Sequence, residues 1–253
     1  MIHPSAYVHP EATVHETACI GPWCIVDAGT ELGAGVVLEC RVRVTGKTRV
    51  GANTIIYDGA VIGAPPQDLK YAGEETELII GENGIIREYC TLNRGTGAGG
   101  KTVIGNSVLL MAYAHIGHDS SVGDGAVLAN GVQLGGHVQI GRFATIGGTT
   151  AVHQFSRVGD YAFVGGTLKI DRDVPPVSKA FGDPLKWAGL NTYAFQKYAE
   201  NFPPERVRNL ELAYRELYRS GKSVNEVIEK LKNSPEELFQ NFFTDWDRLM
   251  IRP

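Results

Sequence analysis

The sequence is poor in the features that mark several classes of protein. Its four cysteines form no CxxC pair and no spacing that binds zinc. No apolar run approaches the roughly 18 residues that a membrane helix needs, and residues 1–20 lack the basic and apolar regions of a signal peptide. Lysine and arginine (24) do not outnumber aspartate and glutamate (28), which argues against nucleic-acid binding. These absences predict a cytoplasmic protein without a membrane span, whose cysteines are small apolar fillers.

Glycine, in contrast, is abundant and unevenly distributed. The chain has 31 glycines, about 12% against a usual share of about 7%, and 29 of them lie in residues 1–186. The aromatic residues show the opposite bias, since 11 of the 22 lie in the last 67 positions. With 43% hydrophobic residues the chain can bury a core. We therefore expect two differently built parts, residues 1–186 and residues 187–253.

An aliphatic residue recurs at every sixth position of the glycine-rich part. The phase holds from Ile2 to Ile62, resumes for three hexads at Ile80 and continues from Ile104 to Ile170. Glycine often follows the aliphatic residue, and the fifth position is often Ala, Thr, Val or Cys. A period of six fits neither an amphipathic helix nor an alternating strand. It indicates flat sides joined at glycine-bearing corners, with three sides closing a triangular coil of 18 residues. This pattern resembles the hexapeptide-repeat, left-handed parallel β-helix.

One insertion interrupts the repeat, at about residues 65–79. Its first two residues are Pro65 and Pro66, which cannot join a central strand. The pattern predicts an excursion loop, and such loops on rigid scaffolds often carry function. A tolerated surface insertion is the alternative interpretation.

The C-terminal part changes to helical spacing. Apolar residues follow the helical period over Pro204–Arg219, and Ser223 opens a capping box that predicts a helix to about Lys232. Ser234 and the proline after it indicate a third helix, which carries aromatic residues as far as Trp246. We expect a C-terminal α-helical domain that caps the open end of the coil.

Gly95 to Thr102 match the phosphate-binding pattern GxxxxGK[ST] letter by letter. That chemistry requires a helix that begins at the lysine, so that its N-terminus can hold the phosphates. Another hexad follows Thr102 instead. We therefore do not expect a nucleotide-hydrolysing loop here.

Histidines concentrate in one stretch of the repeat. They are His115, His118, His137 and His153. Folding the numbering by 18 places the last three on successive coils, one above another and outside the inward positions. By the same count Gly136 lies over His118, where it leaves a notch and a bare N–H. Asp119 adjoins His118 in sequence and His137 in the stack.

This constellation contains the parts of a general-base acyl transfer. It has a base, a carboxylate that orients it, and a donor for a developing oxyanion. Chance stacking of polar residues on a coil wall is the alternative.

Six segments of the chain resemble the motifs of the UDP-N-acetylglucosamine acyltransferase family. They are Ala114–Asp119, Gly135–Val138, Thr150–Phe155, Pro66–Tyr71, Asp173–Pro176 and Leu217–Lys222. The resemblance covers the whole chain in order. It implies a homotrimer with active sites between subunits, which transfers a 3-hydroxyacyl group from acyl carrier protein to the 3-OH of UDP-N-acetylglucosamine in lipid A synthesis. It also implies no metal and no cofactor, because the acyl group arrives on the phosphopantetheine arm of the carrier.

The resemblance also assigns roles to residues of this chain. His118 would be the general base, Asp119 would orient it, and the Gly136 N–H would form the oxyanion hole. Gly166 falls where a larger side chain shortens the acyl pocket in some members, so we expect a pocket open to a long chain. Tyr193 and Lys197 fall where some members carry glutamate and arginine. The remaining residues expected to bind substrate are Gln67, Asp68, Lys70, His115, His137, His153, Gln154, Asn191 and Lys197.

Three other functions remain open at this stage. A γ-type carbonic anhydrase is also a left-handed β-helix trimer and binds zinc with three histidines. A related sugar-nucleotide N-acyltransferase would use the same base on a 3-amino group. A non-catalytic scaffold would leave the histidines unexplained.

Overall fold

The computed structural model describes residues 1–97, 100–244 and 250–253. Most of its strands are only two residues long, which is the length of one flat side of a coil. The strands are β1 Tyr7–Val8, β2 Thr13–Val14, β3 Cys19–Ile20, β4 Ile25–Val26, β5 Glu31–Leu32, β6 Val37–Leu38, β7 Arg43–Val44, β8 Lys47–Val50, β9 Ile55–Ile56, β10 Val61–Ala64, β11 Glu77–Ile80, β12 Ile85–Ile86, β13 Thr91–Asn93, β14 Lys101–Ile104, β15 Leu109–Leu110, β16 His115–Ile116, β17 Ser121–Val122, β18 Val127–Leu128, β19 Gln133–Leu134, β20 Gln139–Ile140, β21 Thr145–Ile146, β22 Ala151–Val152, β23 Arg157–Val158, β24 Phe163–Val164, β25 Lys169–Ile170, β26 Ser178–Phe181 and β27 Lys186–Leu190.

Every third strand joins the same sheet, so the strands form three sheets around one axis. The first sheet runs from β1 to β25, the second from β2 to β23, and the third from β3 to β24, followed by β26 and β27. Neighbouring strands are parallel, except that β27 is antiparallel to β26. Partner residues lie 18 positions apart where the winding is regular, as Tyr7 lies opposite Ile25. The predicted triangular coil is therefore confirmed.

The interior of the coil consists of the first and fifth residues of the hexads. From Ile20 to Ile170 the aliphatic first residues are buried, and Val26, Ile56 and Ile116 are wholly inaccessible. Burying one such side chain contributes roughly 1.5–3 kcal/mol. Cys24 and Cys90 occupy fifth positions and are buried, as predicted. The prediction fails for Cys19, which points outward from β3 and is exposed, and Cys40 is only half-buried.

The repeated glycines have a different cause from the one expected. Gly117 follows an aliphatic residue, and its φ is not positive. A Cβ there would lie 2.6 Å from the carbonyl carbon of Gly135 in the next coil. Many of the left-handed corner positions are instead occupied by other residues, such as Trp23 and Tyr113. The hexad glycines are required because adjacent coils approach closely.

The winding is interrupted twice, although the sequence predicted one loop. Glu77 lies opposite Lys47 and Lys101, which are 30 and 24 positions away, so each of two successive coils carries extra residues. The first excursion covers 65–76 and is shorter than predicted, because Leu78 is already a buried residue of β11. We name the second excursion, residues 94–100, the short excursion. Ala98 and Gly99, part of the phosphate-loop pattern, lie outside the described residues. The pattern continues into strand β14, as expected, and not into a helix.

The C-terminal part is helical and packs against the last coils. Its described helices are α1 Thr192–Lys197, a 3₁₀ helix Ala199–Asn201, α2 Pro204–Arg219, α3 Val224–Lys232 and α4 Glu237–Phe243. Tyr214, Phe239 and Phe243 are fully buried and form one cluster with Tyr161 and Val177 of the coil. β27 continues to Leu190, so the third sheet extends past residue 186.

The bounds of α2 and α3 agree with the prediction, but the capping details differ. The Ser223 side chain forms no capping hydrogen bond. α4 begins at Glu237, and Glu236 rather than Ser234 is its cap. Trp246 lies outside the described residues. Within the described part of the chain, no helix is long and apolar enough to cross a membrane.

Candidate active site

The candidate residues gather at one corner of the coil, between the first and second sheets. His118 and Asp119 follow β16, and Gly136 and His137 follow β19 in the next coil. The corner backbones are joined directly, since the His137 N–H donates to the His118 carbonyl oxygen at 2.8 Å. The stacking thus places these four residues in contact, as the count by 18 predicted.

His118 and Asp119 form a directed pair. His118 Nδ1 lies 2.8 Å from Asp119 Oδ2, and the Asp119 side chain is only 3% exposed. Burial raises the pKa of this carboxyl, but hydrogen bonds from His118 and Thr96 outweigh it and lower the pKa below its ordinary value. Because the carboxylate is ionised, it accepts the bond and Nδ1 carries the proton. This tautomer leaves Nε2 with the lone pair that a general base needs.

The absence of a side chain at Gly136 leaves room for the imidazole ring of His118. A Cβ on Gly136 would lie 2.5 Å from Cε1 and 2.6 Å from Nε2 of His118. The predicted notch is therefore filled by the ring itself, and Nε2 lies next to the Gly136 backbone. Among the described residues, the Gly136 N–H donates no hydrogen bond.

The column of rings above His118 differs from the predicted one. The His137 ring contacts His118 edge-on, with centroids 5.1 Å apart, and its Nε2 lies 3.7 Å from Asp119 Oδ2. The next ring is Phe155, stacked on His137 at 4.5 Å and 3°. His153 is exposed, and its Nδ1 hydrogen-bonds the carbonyl oxygen of Gln154, which is also exposed. Phe155 lies 18 positions after His137, so the count by 18 places it in this column. The prediction considered only histidines and therefore omitted this ring.

His115 lies below this cluster and is partly buried. Its Nδ1 is 2.7 Å from the hydroxyl of Thr91 in the previous coil. Burial lowers the pKa of its imidazole, a hydrogen bond at Thr91 opposes this shift in part, and the nearby His118 adds a smaller lowering effect. The lowered pKa favours the neutral form of His115.

The other predicted substrate residues lie on the first excursion, between β10 and β11. Asp68 accepts a hydrogen bond from the Lys70 N–H at 2.9 Å, and Gln67 and Lys70 are exposed. Leu69 is completely exposed. Within the described residues of this chain, no hydrogen bond or ion pair joins the side chains of Gln67, Asp68 or Lys70 to the histidine cluster.

The three remaining predicted residues lie farther along the chain. Gly166 is exposed, and a Cβ there would lie 3.0 Å from the Gly148 carbonyl oxygen. Asn191 is buried, caps α1 and donates to the Tyr161 carbonyl oxygen at 2.8 Å. Lys197 is exposed, with Nζ 5.2 Å from the Tyr198 ring centroid.

One group of side chains has the composition of a metal site. Donor atoms of His118, Asp119 and His137 lie within 4.8 Å of one another. Asp119 Oδ2 is already hydrogen-bonded by His118 Nδ1 and by the Thr96 hydroxyl. A metal ion bound to this oxygen would compete with these two hydrogen bonds.

Comparison with known proteins decides the family. A model described as bacterial transferase hexapeptide (six repeats) matches residues 101–136, and one described as Udp N-acetylglucosamine O-acyltransferase, domain 2, matches residues 173–248. The acyl-[acyl-carrier-protein]–UDP-N-acetylglucosamine O-acyltransferase of Sulfurovum sp. (strain NBC37-1) is 42% identical over 242 residues, covering 95% of this chain and 92% of that one. The chain belongs to the UDP-N-acetylglucosamine O-acyltransferase family.

Solved structures of this family share the whole fold. The enzyme from Moraxella catarrhalis RH4 has a TM-score of 0.94 at 41% identity, covering 99% of both chains. The Campylobacter jejuni UDP-N-acetylglucosamine acyltransferase has a TM-score of 0.92 at 31% identity, covering 100% of both. The left-handed parallel β-helix is thereby confirmed. The comparisons favour the O-acyltransferase over the carbonic anhydrase and the N-acyltransferase.

The environment of His115 generates a testable prediction. In ¹⁵N spectra of the histidine side chains, His115 should titrate below the ordinary value of 6.5. Because its pKa is lower in the folded chain, the unfolded chain binds this proton first as the pH falls. His115 should therefore destabilise the fold below pH 6.5, and His115→Gln should reduce that loss. A midpoint at or above 6.5 would contradict the described burial.

Proposed function

We propose that this chain transfers a 3-hydroxyacyl group from acyl carrier protein to the 3-OH of UDP-N-acetylglucosamine, the first step of lipid A biosynthesis. Family membership supports this reaction. The observation that carries the chemistry is the contact of 2.8 Å between His118 Nδ1 and Asp119 Oδ2, which leaves Nε2 free beside Gly136. No separate cofactor is needed, because the acyl group arrives as a thioester on the phosphopantetheine arm of the carrier.

His118 acts as the general base in this proposal. Its Nε2 takes the proton of the sugar 3-OH while that oxygen attacks the thioester carbonyl carbon. The imidazolium that forms is stabilised by Asp119, whose lowered pKa keeps it ionised. The tetrahedral intermediate then expels the carrier thiolate, which takes the proton back from His118. Protons and bonds balance without a metal.

The Gly136 N–H stabilises the oxyanion of the intermediate. It lies beside the base and donates no hydrogen bond to any other described residue. A fixed donor at the site of developing charge is worth about 10²–10³ in rate in other acyl transfers. His115 and His137 border this centre, whereas His153 and Gln154 are exposed in the next coil and would contact the substrates there.

We infer that the complete site forms between subunits of a homotrimer. Gln67, Asp68 and Lys70 lie on the first excursion, where the neighbouring Leu69 is fully exposed and where, among the described residues, no hydrogen bond or ion pair joins their side chains to His118. In a trimer this excursion would reach the His118 corner of an adjacent subunit. There it would hold the sugar and the hydroxyl of the acyl chain, while Asn191 and Lys197 would contribute to nucleotide binding.

An assay with both substrates tests the proposed base. His118→Ala should lower kcat by about 10²–10⁴, the usual contribution of general-base catalysis. His15→Ala, which removes an exposed histidine at the other end of the coil, is the matched control. Near-normal turnover by His118→Ala would remove His118 as the base.

A panel of donors in the same assay tests Gly166, because strong preference for a short acyl chain would contradict an open pocket.

Mixed subunits test the shared site. Co-expressed His118→Ala and Lys70→Ala chains, each with its own tag, should form mixed trimers in which some sites combine an intact His118 with an intact Lys70. Turnover should then exceed that of either variant alone. If every site belonged to one chain, mixing would restore nothing.

A further inference from the structure

The buried carboxylate of Asp119 is held by a residue outside the hexad repeat. Thr96 donates twice to it, from its hydroxyl to Oδ2 at 2.7 Å and from its backbone N–H to Oδ1 at 2.9 Å. The same Oδ2 accepts the bond from His118 Nδ1. Both oxygens of a carboxylate that is only 3% exposed are therefore satisfied by two residues.

Thr96 is itself anchored by the ends of the short excursion. The Gly100 N–H donates to the Thr96 carbonyl oxygen at 2.7 Å. Glu77 of the neighbouring strand donates to the Gly100 carbonyl oxygen at 2.7 Å and accepts from the Gly95 N–H at 3.2 Å. The backbone around Thr96 is thus tied to strand β11, and the hydroxyl is presented from a fixed position.

We propose that Thr96 is a positioning residue for catalysis, and that the short excursion serves to place it against Asp119. This inference rests on the proposed function, because it assigns Thr96 an effect through the proposed base. The Asp119 backbone lies in the left-handed region, at φ 58°, as do other non-glycine corners of the coil such as Tyr113. Besides the bonds from Thr96 and from His118 Nδ1, Asp119 is held by a bond from its own N–H to the Thr102 hydroxyl at 2.9 Å.

The hydroxyl of Thr96 and Nδ1 of His118 share one oxygen, which fixes the plane of the carboxylate relative to the imidazole. Without the hydroxyl, Asp119 keeps one bond from Thr96 and can rotate about its side-chain torsion. The Nδ1 contact then lengthens, and Nε2 turns away from the reacting hydroxyl. Substrate binding does not depend on this geometry, so the loss should fall on kcat and not on KM.

The test compares Thr96→Val with Thr96→Ser in the assay with both substrates. Thr96→Val should lower kcat about tenfold to a hundredfold, the range for losing a hydrogen bond to a charged group, with unchanged KM for either substrate. Thr96→Ser keeps a hydroxyl and should restore most of kcat. Thr54→Val is the matched control, because the buried Thr54 hydroxyl also makes two hydrogen bonds, to Gly81 and Gly84, but does not contact Asp119.

The outcomes separate the two proposals. Wild-type protein without turnover would contradict the proposed function, whereas wild-type kcat in Thr96→Val would overturn the role of Thr96 alone. A rise in KM with unchanged kcat would also overturn it, because it would make Thr96 a binding residue. If Thr96→Val does not fold, Thr96→Ala replaces it, since alanine adds no bulk and keeps the backbone bond to Oδ1.

Discussion

The stacking of one coil directly on the next is the constraint on which the rest of this structure depends. Each turn must bring two-residue strands within hydrogen-bond distance on three sides, and at the corners the backbones come closer than a Cβ permits. This explains why glycine follows so many inward aliphatic residues: at Gly117 any side chain would collide with the coil above. The inward residues form the apolar core, and hydrogen bonds between the strands of successive coils hold the coils in register.

The candidate site follows from the same constraint. Each residue lies directly above the one 18 positions earlier. Gly136 therefore lies over His118, and the ring of Phe155 lies over His137. The regular coils supply the rigid backbone, whereas the two excursions add side chains at positions outside the repeat. The first excursion carries the exposed side chains of Gln67 and Lys70, and the short excursion carries Thr96, which donates to the carboxylate of Asp119. His118 and Asp119 of the regular coils and Thr96 of the short excursion therefore belong to one hydrogen-bonded group.

Much of this could be predicted from the sequence, because a repeat converts spacing into position. The inward residues, the stacking of Gly136 on His118 and the bounds of α2 followed from periodicity alone. Thr96 could not be found this way, since it lies in an excursion where counting by 18 fails. Phe155 obeys the count but lacks a titratable group. The hexad glycines are required because adjacent coils approach closely, and the distance between coils cannot be read from a single sequence.

The stacking of Gly136 on His118 is tested most directly by the kcat of Gly136→Ala, with Gly84→Ala as the control. Neither glycine has a positive φ, but a Cβ at Gly136 would meet the His118 ring at 2.5 Å, whereas one at Gly84 would lie 3.3 Å from the Thr54 methyl group. We expect Gly136→Ala to displace the imidazole and to lower kcat about a hundredfold or more, while Gly84→Ala stays close to wild type. Wild-type kcat in Gly136→Ala would contradict the claim that coil stacking builds the catalytic centre.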